Sequence, residues 1–96
     1  PTFSKVTFDP LDVQQGQSLT ITVTLSSQSP VSAVTGTLIG DTASMPVSLQ
    51  KISQTGTSSI YSTTITITDT LLYKYILQLD AVNGTGTSSV TVAPRS

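Results

Sequence analysis

The alternation of apolar and polar residues in the last third of the chain constrains the fold most. Because successive side chains of a β-strand point to opposite faces, this pattern predicts a strand with one apolar face. The apolar face comprises Tyr73, Tyr75, Leu77, Leu79 and Ala81, and the opposite face includes Lys74, Gln78 and Asp80. Val90 and Val92 continue the alternation on a return strand. Asn83-Gly84 would supply the positive φ angles of a tight turn, so we expect a β-hairpin.

The same alternation recurs along the rest of the chain. Leu19, Ile21, Val23 and Leu25 alternate with hydroxylated residues between Ser18 and Ser27, as in a sheet with one wet face. Further strands are predicted at Thr2–Phe8, Val31–Gly40, Met45–Gln50 and Ser59–Thr68, with a polar loop at 53–58. We expect Val34, Gly36 and Leu38 to point inward, as well as Tyr61. Seven short strands separated by turn signals predict an all-β fold in which two sheets pack face to face.

Length and composition indicate one folded domain. The 96 residues suffice for one modest core. Of these residues, 33 are Ser or Thr and none is Glu, which favours strands and turns over helices. We interpret residues 1–96 as a single domain excised from a longer protein, because the chain starts at Pro1. Residues 93–96 are interpreted as the start of a linker.

The charge and the missing residue types exclude several functions. A net charge of −1 gives no electrostatic basis for binding nucleic acid. No apolar run reaches the length of a membrane-spanning helix, so we expect no membrane insertion. The chain contains no Cys and no His, which removes thiolate ligands and the usual general bases. We therefore expect neither an enzyme nor a cofactor.

A few polar residues could carry chemistry, and each also has a simple structural reason to be present. Asp9 and Asp12 could contribute to a calcium site, but two carboxylates fall short of the six to eight oxygens that calcium takes. We interpret them as turn residues and predict no metal, although a weak calcium site stays open. Asn83-Gly84-Thr85 matches an N-glycosylation acceptor. A hairpin turn already explains Asn83, and whether it is glycosylated also stays open.

Two segments carry a family resemblance. The stretch from Pro10 to Val23 resembles the opening of prokaryotic immunoglobulin-like modules, with its Pro, Val and Gly at spacings of three before an alternating strand. The stretch from Tyr75 to Gly86 is similar to strand F and the F–G turn of those modules, and both segments also suit fibronectin type III domains. The resemblance implies a seven-stranded antiparallel immunoglobulin-like β-sandwich. In such a fold Tyr75 would be either a tyrosine-corner residue or a core Tyr whose hydroxyl reaches solvent, and both alternatives stay open.

The resemblance also implies a function. Such a domain is expected to be a non-catalytic module of a secreted or cell-surface multidomain protein. It would space neighbouring domains of the same chain, or serve in adhesion to protein or glycan ligands. The alternative is an accessory carbohydrate-binding module of an extracellular glycan-degrading enzyme.

The resemblance places the third and sixth strands side by side. On that basis Ile39, Ile76 and Val82 fall on one outward surface with few charges. We hypothesise that this surface contacts a partner or a neighbouring domain. The alternative is that these are isolated surface hydrophobes, which need no explanation.

Overall fold

Seven β-strands build the described part of the protein. The computed structural model describes residues 1–9, 16–40, 44–67 and 76–92. Its strands are β1 (Thr2–Asp9), β2 (Ser18–Ser26), β3 (Val31–Ile39), β4 (Ser44–Thr55), β5 (Ser58–Thr66), β6 (Ile76–Asn83) and β7 (Gly86–Val92). None of the described residues belongs to a helix that could span a membrane.

The strands form one hydrogen-bonded sheet in the order β1-β2-β5-β4-β3-β6-β7, and every neighbouring pair is antiparallel. The predicted all-β fold of seven antiparallel strands is therefore confirmed. Where two sheets were expected, the structure has a single one, because β4 pairs with β5 on one side and with β3 on the other and so connects β1-β2-β5 to β3-β6-β7. Its residues 44–49 pair with β3, and its residues 50–55 pair with β5.

Each strand turns one face toward a common core, with the parity that the sequence predicts. Leu19, Ile21, Val23 and Leu25 of β2 are fully buried, as are Leu77, Leu79 and Ala81 of β6. The other buried hydrophobic residues of the core are Phe8, Val34, Leu38, Val47, Leu49, Tyr61 and Ile67. These seven residues come from β1, β3, β4 and β5 and from the position directly after β5, so the sheet must curl to bring them together. The predicted Tyr73 and Tyr75 lie outside the described residues.

The fourth strand is longer than its hydrophobic pattern indicates. We expected a strand over 45–50 and a polar loop over 53–58, yet β4 continues to Thr55. Only Gly56 and Thr57 separate it from β5, and Gly56 takes a φ of 59°. The loop prediction is wrong because residues 50–55 are exposed and paired only with β5, so they have no apolar face to reveal them.

The β6–β7 hairpin forms as predicted, but its turn differs from the prediction. Asn83 pairs with Gly86 and the two turn residues are Gly84 and Thr85. No non-glycine residue has a positive φ in the described part of the chain, and Gly84 has none either. Instead, the Asn83 Oδ1 accepts the backbone N–H of Thr85 at 2.9 Å and that of Gly86 at 3.0 Å. This side-chain acceptor organises the turn in place of the expected backbone conformation.

Hydroxyl groups on the outer face of β2 and β5 bond to one another. The side-chain oxygens of Thr20 and Thr64 are 2.9 Å apart, and those of Thr22 and Ser62 are 3.2 Å apart. Such cross-strand hydroxyl pairs add to the stability of an antiparallel sheet. The predicted hydroxylated face of β2 therefore serves to hold neighbouring strands together.

The first and last strands run parallel to each other at the open edges of the sheet. Both begin at the end of the domain that contains residues 27–30, 56–57 and 84–85, which we call the hairpin end. There the hydroxyl of Ser88 donates to the backbone carbonyl of Pro1. The domain measures 38 × 21 × 21 Å. Pro1 lies at the hairpin end, and β7 carries the chain to Val92 toward the opposite end.

Candidate functional site

The three residues of the predicted contact face do not form one patch. Ile39 lies directly opposite Ile76 on neighbouring strands, and Ile76 is 37% exposed. Val82 pairs with Ala33 near the other end of the same two strands. Two polar rows separate these pairs: Thr37 with Gln78, and Thr35 with Asp80. The structure thus joins Ile39 and Ile76 and leaves Val82 apart from them.

The other predicted residues are only partly described. Asp9 is exposed at the end of β1, while Asp12 lies outside the described residues. No group of three or more potential metal ligands occurs within the described ranges. Asn83 is only 9% exposed, and its Nδ2 donates to the Ser27 hydroxyl at 2.7 Å. A glycan on Asn83 would have to occupy this nitrogen.

A groove at the hairpin end is a site that the sequence interpretation missed. This end groove has a volume of about 320 Å³, which falls in the lower range of ligand pockets. Its lining is mostly polar and includes Ser27, Gln28, Ser29, Lys51, Gln54 and Ser59. The residues come from the β2–β3 loop, the final half of β4 and the start of β5.

The end groove exists because β4 changes partners. The last β3–β4 pair toward the hairpin end is Val34 with Leu49, and from Gln50 onward β4 pairs with β5 instead. The Val31–Ala33 part of β3 continues to pair with β6. Two strand edges therefore diverge, and the space between them is open to solvent.

Lys51 points into this space. It lies directly opposite Tyr61, whose side chain is buried, and two residues after the buried Leu49. Because opposite residues of an antiparallel pair share a face, the Lys51 side chain leaves β4 on the core side. It remains exposed since β3 no longer covers it there. Its Nζ donates to the Gln54 Oε1 at 3.3 Å, which holds the ammonium at the mouth of the groove.

Hydrogen bonds fix the strands and the loop that surround the end groove. The Tyr61 hydroxyl donates to the Val31 backbone carbonyl at 3.4 Å, across the gap between the two diverging edges. Ser59 lines the groove and is only 3% exposed. On the rim, the Ser27 N–H donates to the Thr57 carbonyl at 2.9 Å. These bonds tie the loop walls to the sheet, so the groove is largely pre-formed.

This arrangement offers one cation surrounded by hydroxyl and amide groups. Ser and Thr hydroxyls both donate and accept, and Gln side chains present a carbonyl and an amide. Such a set suits a hydrogen-bonding ligand that carries negative charge. One sequence signal pointed to the site: Lys51 continues the inward parity of Val47 and Leu49. The polar composition of residues 53–58 hid the site, because it indicated a loop.

Comparison with protein-family models, curated proteins and solved structures gave no significant match.

Proposed function

We propose that the chain is an immunoglobulin-like β-sandwich domain that acts as a non-catalytic spacer or adhesion module of a secreted or cell-surface multidomain protein. The strand order supports this proposal. The immunoglobulin constant-type sandwich orders its strands A-B-E-D in one sheet and C-F-G in the other. In chain order these are β1-β2-β5-β4 and β3-β6-β7, which is the order found here, with β4 bridging the two halves.

The observation that carries the spacer function is the placement of the first and last strands. Both run from the hairpin end toward the opposite end of a body 38 Å long. A chain that enters at one end and leaves at the other arranges neighbouring domains in line. Tension between the neighbours would then act along β1 and β7. Backbone hydrogen bonds of antiparallel strands lie perpendicular to the strands, so this tension loads many bonds at once.

Force spectroscopy tests the load-bearing role. The chain contains no Cys, so pairs of Cys can serve as unique attachment points. Thr2→Cys with Thr91→Cys applies force along the long axis. The matched control, Thr2→Cys with Gln28→Cys, pulls at the hairpin end and opens the β1–β2 pairs one after another from Thr2 and Ser26. We expect a clearly higher unfolding force in the first geometry. Equal forces would contradict the spacer proposal.

A second candidate function, contact with carbohydrate as an accessory module, is favoured by the end groove. Its hydroxyl and amide lining matches the many donors and acceptors of a sugar. A glycan array probed with the whole chain tests it, and absence of any retained glycan would contradict it.

A further inference from the structure

Lys51 gives the end groove a positive charge, and no acid within the described ranges neutralises it. Its described hydrogen-bond partner is the neutral Gln54 side chain. The two carboxylates in the described part of the chain lie elsewhere. Asp9 pairs with Thr20 of β2, and Asp80 lies on the outer face, where its carboxylate accepts a hydrogen bond from Ser89. The groove therefore presents the exposed Lys51 ammonium to solvent and favours an anionic ligand.

The strand edges beside the groove are unsuited to an added peptide strand. A β-bulge places the extra residue Ile52 in the β4 edge, next to the charged Lys51. Bulges and lysines are the features by which proteins prevent pairing at exposed edges. A ligand of the groove is consequently bound by side chains rather than by backbone pairing, which disfavours an extended peptide.

The lining also distinguishes between kinds of sugar. Among the described residues that line the groove, none is aromatic. Stacking of an apolar sugar face on a ring is therefore not offered, and recognition has to come from hydrogen bonds and charge. A carboxylate on the sugar would gain a charge-assisted hydrogen bond from the Lys51 ammonium, which is stronger than a neutral one.

We propose that the end groove binds an acidic saccharide, with Lys51 recognising the sugar carboxylate. This inference rests on the second candidate function, carbohydrate contact. The groove volume of about 320 Å³ accommodates about one sugar unit with its substituents. Gln28 and Ser29 on one wall, and Gln54 on the other, contact the ring hydroxyls.

Titration of the isotope-labelled chain, followed by amide chemical shifts, tests this inference. The acidic probes are trigalacturonic acid and sialyllactose, and their neutral counterparts are maltotriose and lactose. We expect one or both of the acidic probes to shift the amide signals of residues 27–29, 31 and 51–59, and the neutral probes to bind more weakly. Added salt should weaken the binding of the acidic probe, because salt screens an exposed ion pair.

Two variants that each remove one positive charge test whether Lys51 is the residue that binds the sugar carboxylate. Lys51→Gln should lower the affinity for the acidic probe about fivefold, which is the effect of losing a partly exposed ion pair. Lys5→Gln removes the same charge from the outer face of β1, opposite Thr24, and should leave the affinity unchanged. The spectra of both variants also report whether the chain is folded.

Three other outcomes would each overturn part of the proposal. Equal effects of the two variants would show that net charge, and not the groove, attracts the probe, and would overturn the assignment. Equal binding of neutral and acidic probes would retain carbohydrate contact and overturn the acidic specificity. If neither kind of probe shifts any amide, both the inference and carbohydrate contact fail.

Discussion

The backbone of β3 at Gly36 lies so close to β6 that a Cβ atom added there would come within 2.0 Å of the Gln78 carbonyl oxygen. Gly36 sits between the buried residues Val34 and Leu38, which make the centre of the β3–β6 contact. Gly in a strand interior often marks such a close approach of another backbone.

Gly36→Ala is therefore expected to destabilise the domain by about 1–3 kcal/mol or more, the cost of overpacking a core. Backbone must shift to relieve the clash, since the nearest atoms are not those of a flexible side chain. Gly84→Ala is the matched control, because nothing lies within 4 Å of a Cβ at that position. Urea titration of both variants measures the difference, and equal costs would contradict the close approach.

The apolar face of β6 should carry much of the stability. Leu77 is fully buried, and Leu77→Ala is expected to cost about 2–5 kcal/mol through lost transfer energy and a cavity. Gln78 is exposed on the opposite face, so Gln78→Ala should cost under about 0.5 kcal/mol. Equal shifts of the urea midpoint in the two variants would contradict the assignment of Leu77 to the core face of β6 and of Gln78 to its outer face.

Strand segments with an apolar face could be predicted from the sequence, and segments without such a face could not. Alternation predicted the inward side chains of β2 and β6, since a buried face must repeat every second residue. The final half of β4 carries no such signal. It pairs with β5 alone and all its side chains are exposed, so no buried face imposes an apolar alternation on it. The loop prediction therefore failed at this segment, and the end groove was missed with it.

The β6–β7 turn illustrates a second limit of the sequence. Asn-Gly is the strongest short hairpin signal, and it correctly predicted where the chain reverses. It did not reveal that Asn83 ends the strand, with its side chain accepting three hydrogen bonds at 2.8–3.0 Å. The Ser27 partner of its amide is 56 positions away. Contacts between distant segments leave no local pattern, so this part of the hairpin end required the structure.

Substitutions of Asn83 separate its two roles. Asn83→Ala removes the acceptor of the turn and the donor to Ser27, and should cost about 1–3 kcal/mol. Asn83→Asp keeps an acceptor for the N–H groups of Thr85 and Gly86, so its cost should be smaller. Thermal unfolding of the variants measures both effects. Were the Asp variant as unstable as the Ala variant, the turn acceptor would be unimportant.

Calcium should leave the stability unchanged. An ion at 1,000 times its dissociation constant, bound only to the folded state, would stabilise it by about 4.1 kcal/mol. We expect the same melting temperature with millimolar calcium and with EDTA. A rise of several degrees in calcium would assign Asp9 and Asp12 a ligand role, and the variant Asp9→Asn should then abolish that rise.

The paired isoleucines on the outer face provide the test of the contact hypothesis. Ile76 is partly exposed on the face opposite the core, so Ile76→Lys should change the free energy of unfolding by less than about 1 kcal/mol. Its neighbour Leu77 is fully buried, and Leu77→Lys should prevent folding because an unpaired charge would enter the core. Circular dichroism during a urea titration distinguishes the two variants. In a multidomain protein of the kind proposed, Ile76→Lys should weaken association with the partner or neighbouring domain, whereas Val82→Thr, away from the Ile39–Ile76 pair, should not. Unchanged association of the folded Ile76→Lys domain would mean that these isoleucines are ordinary surface residues of a strand.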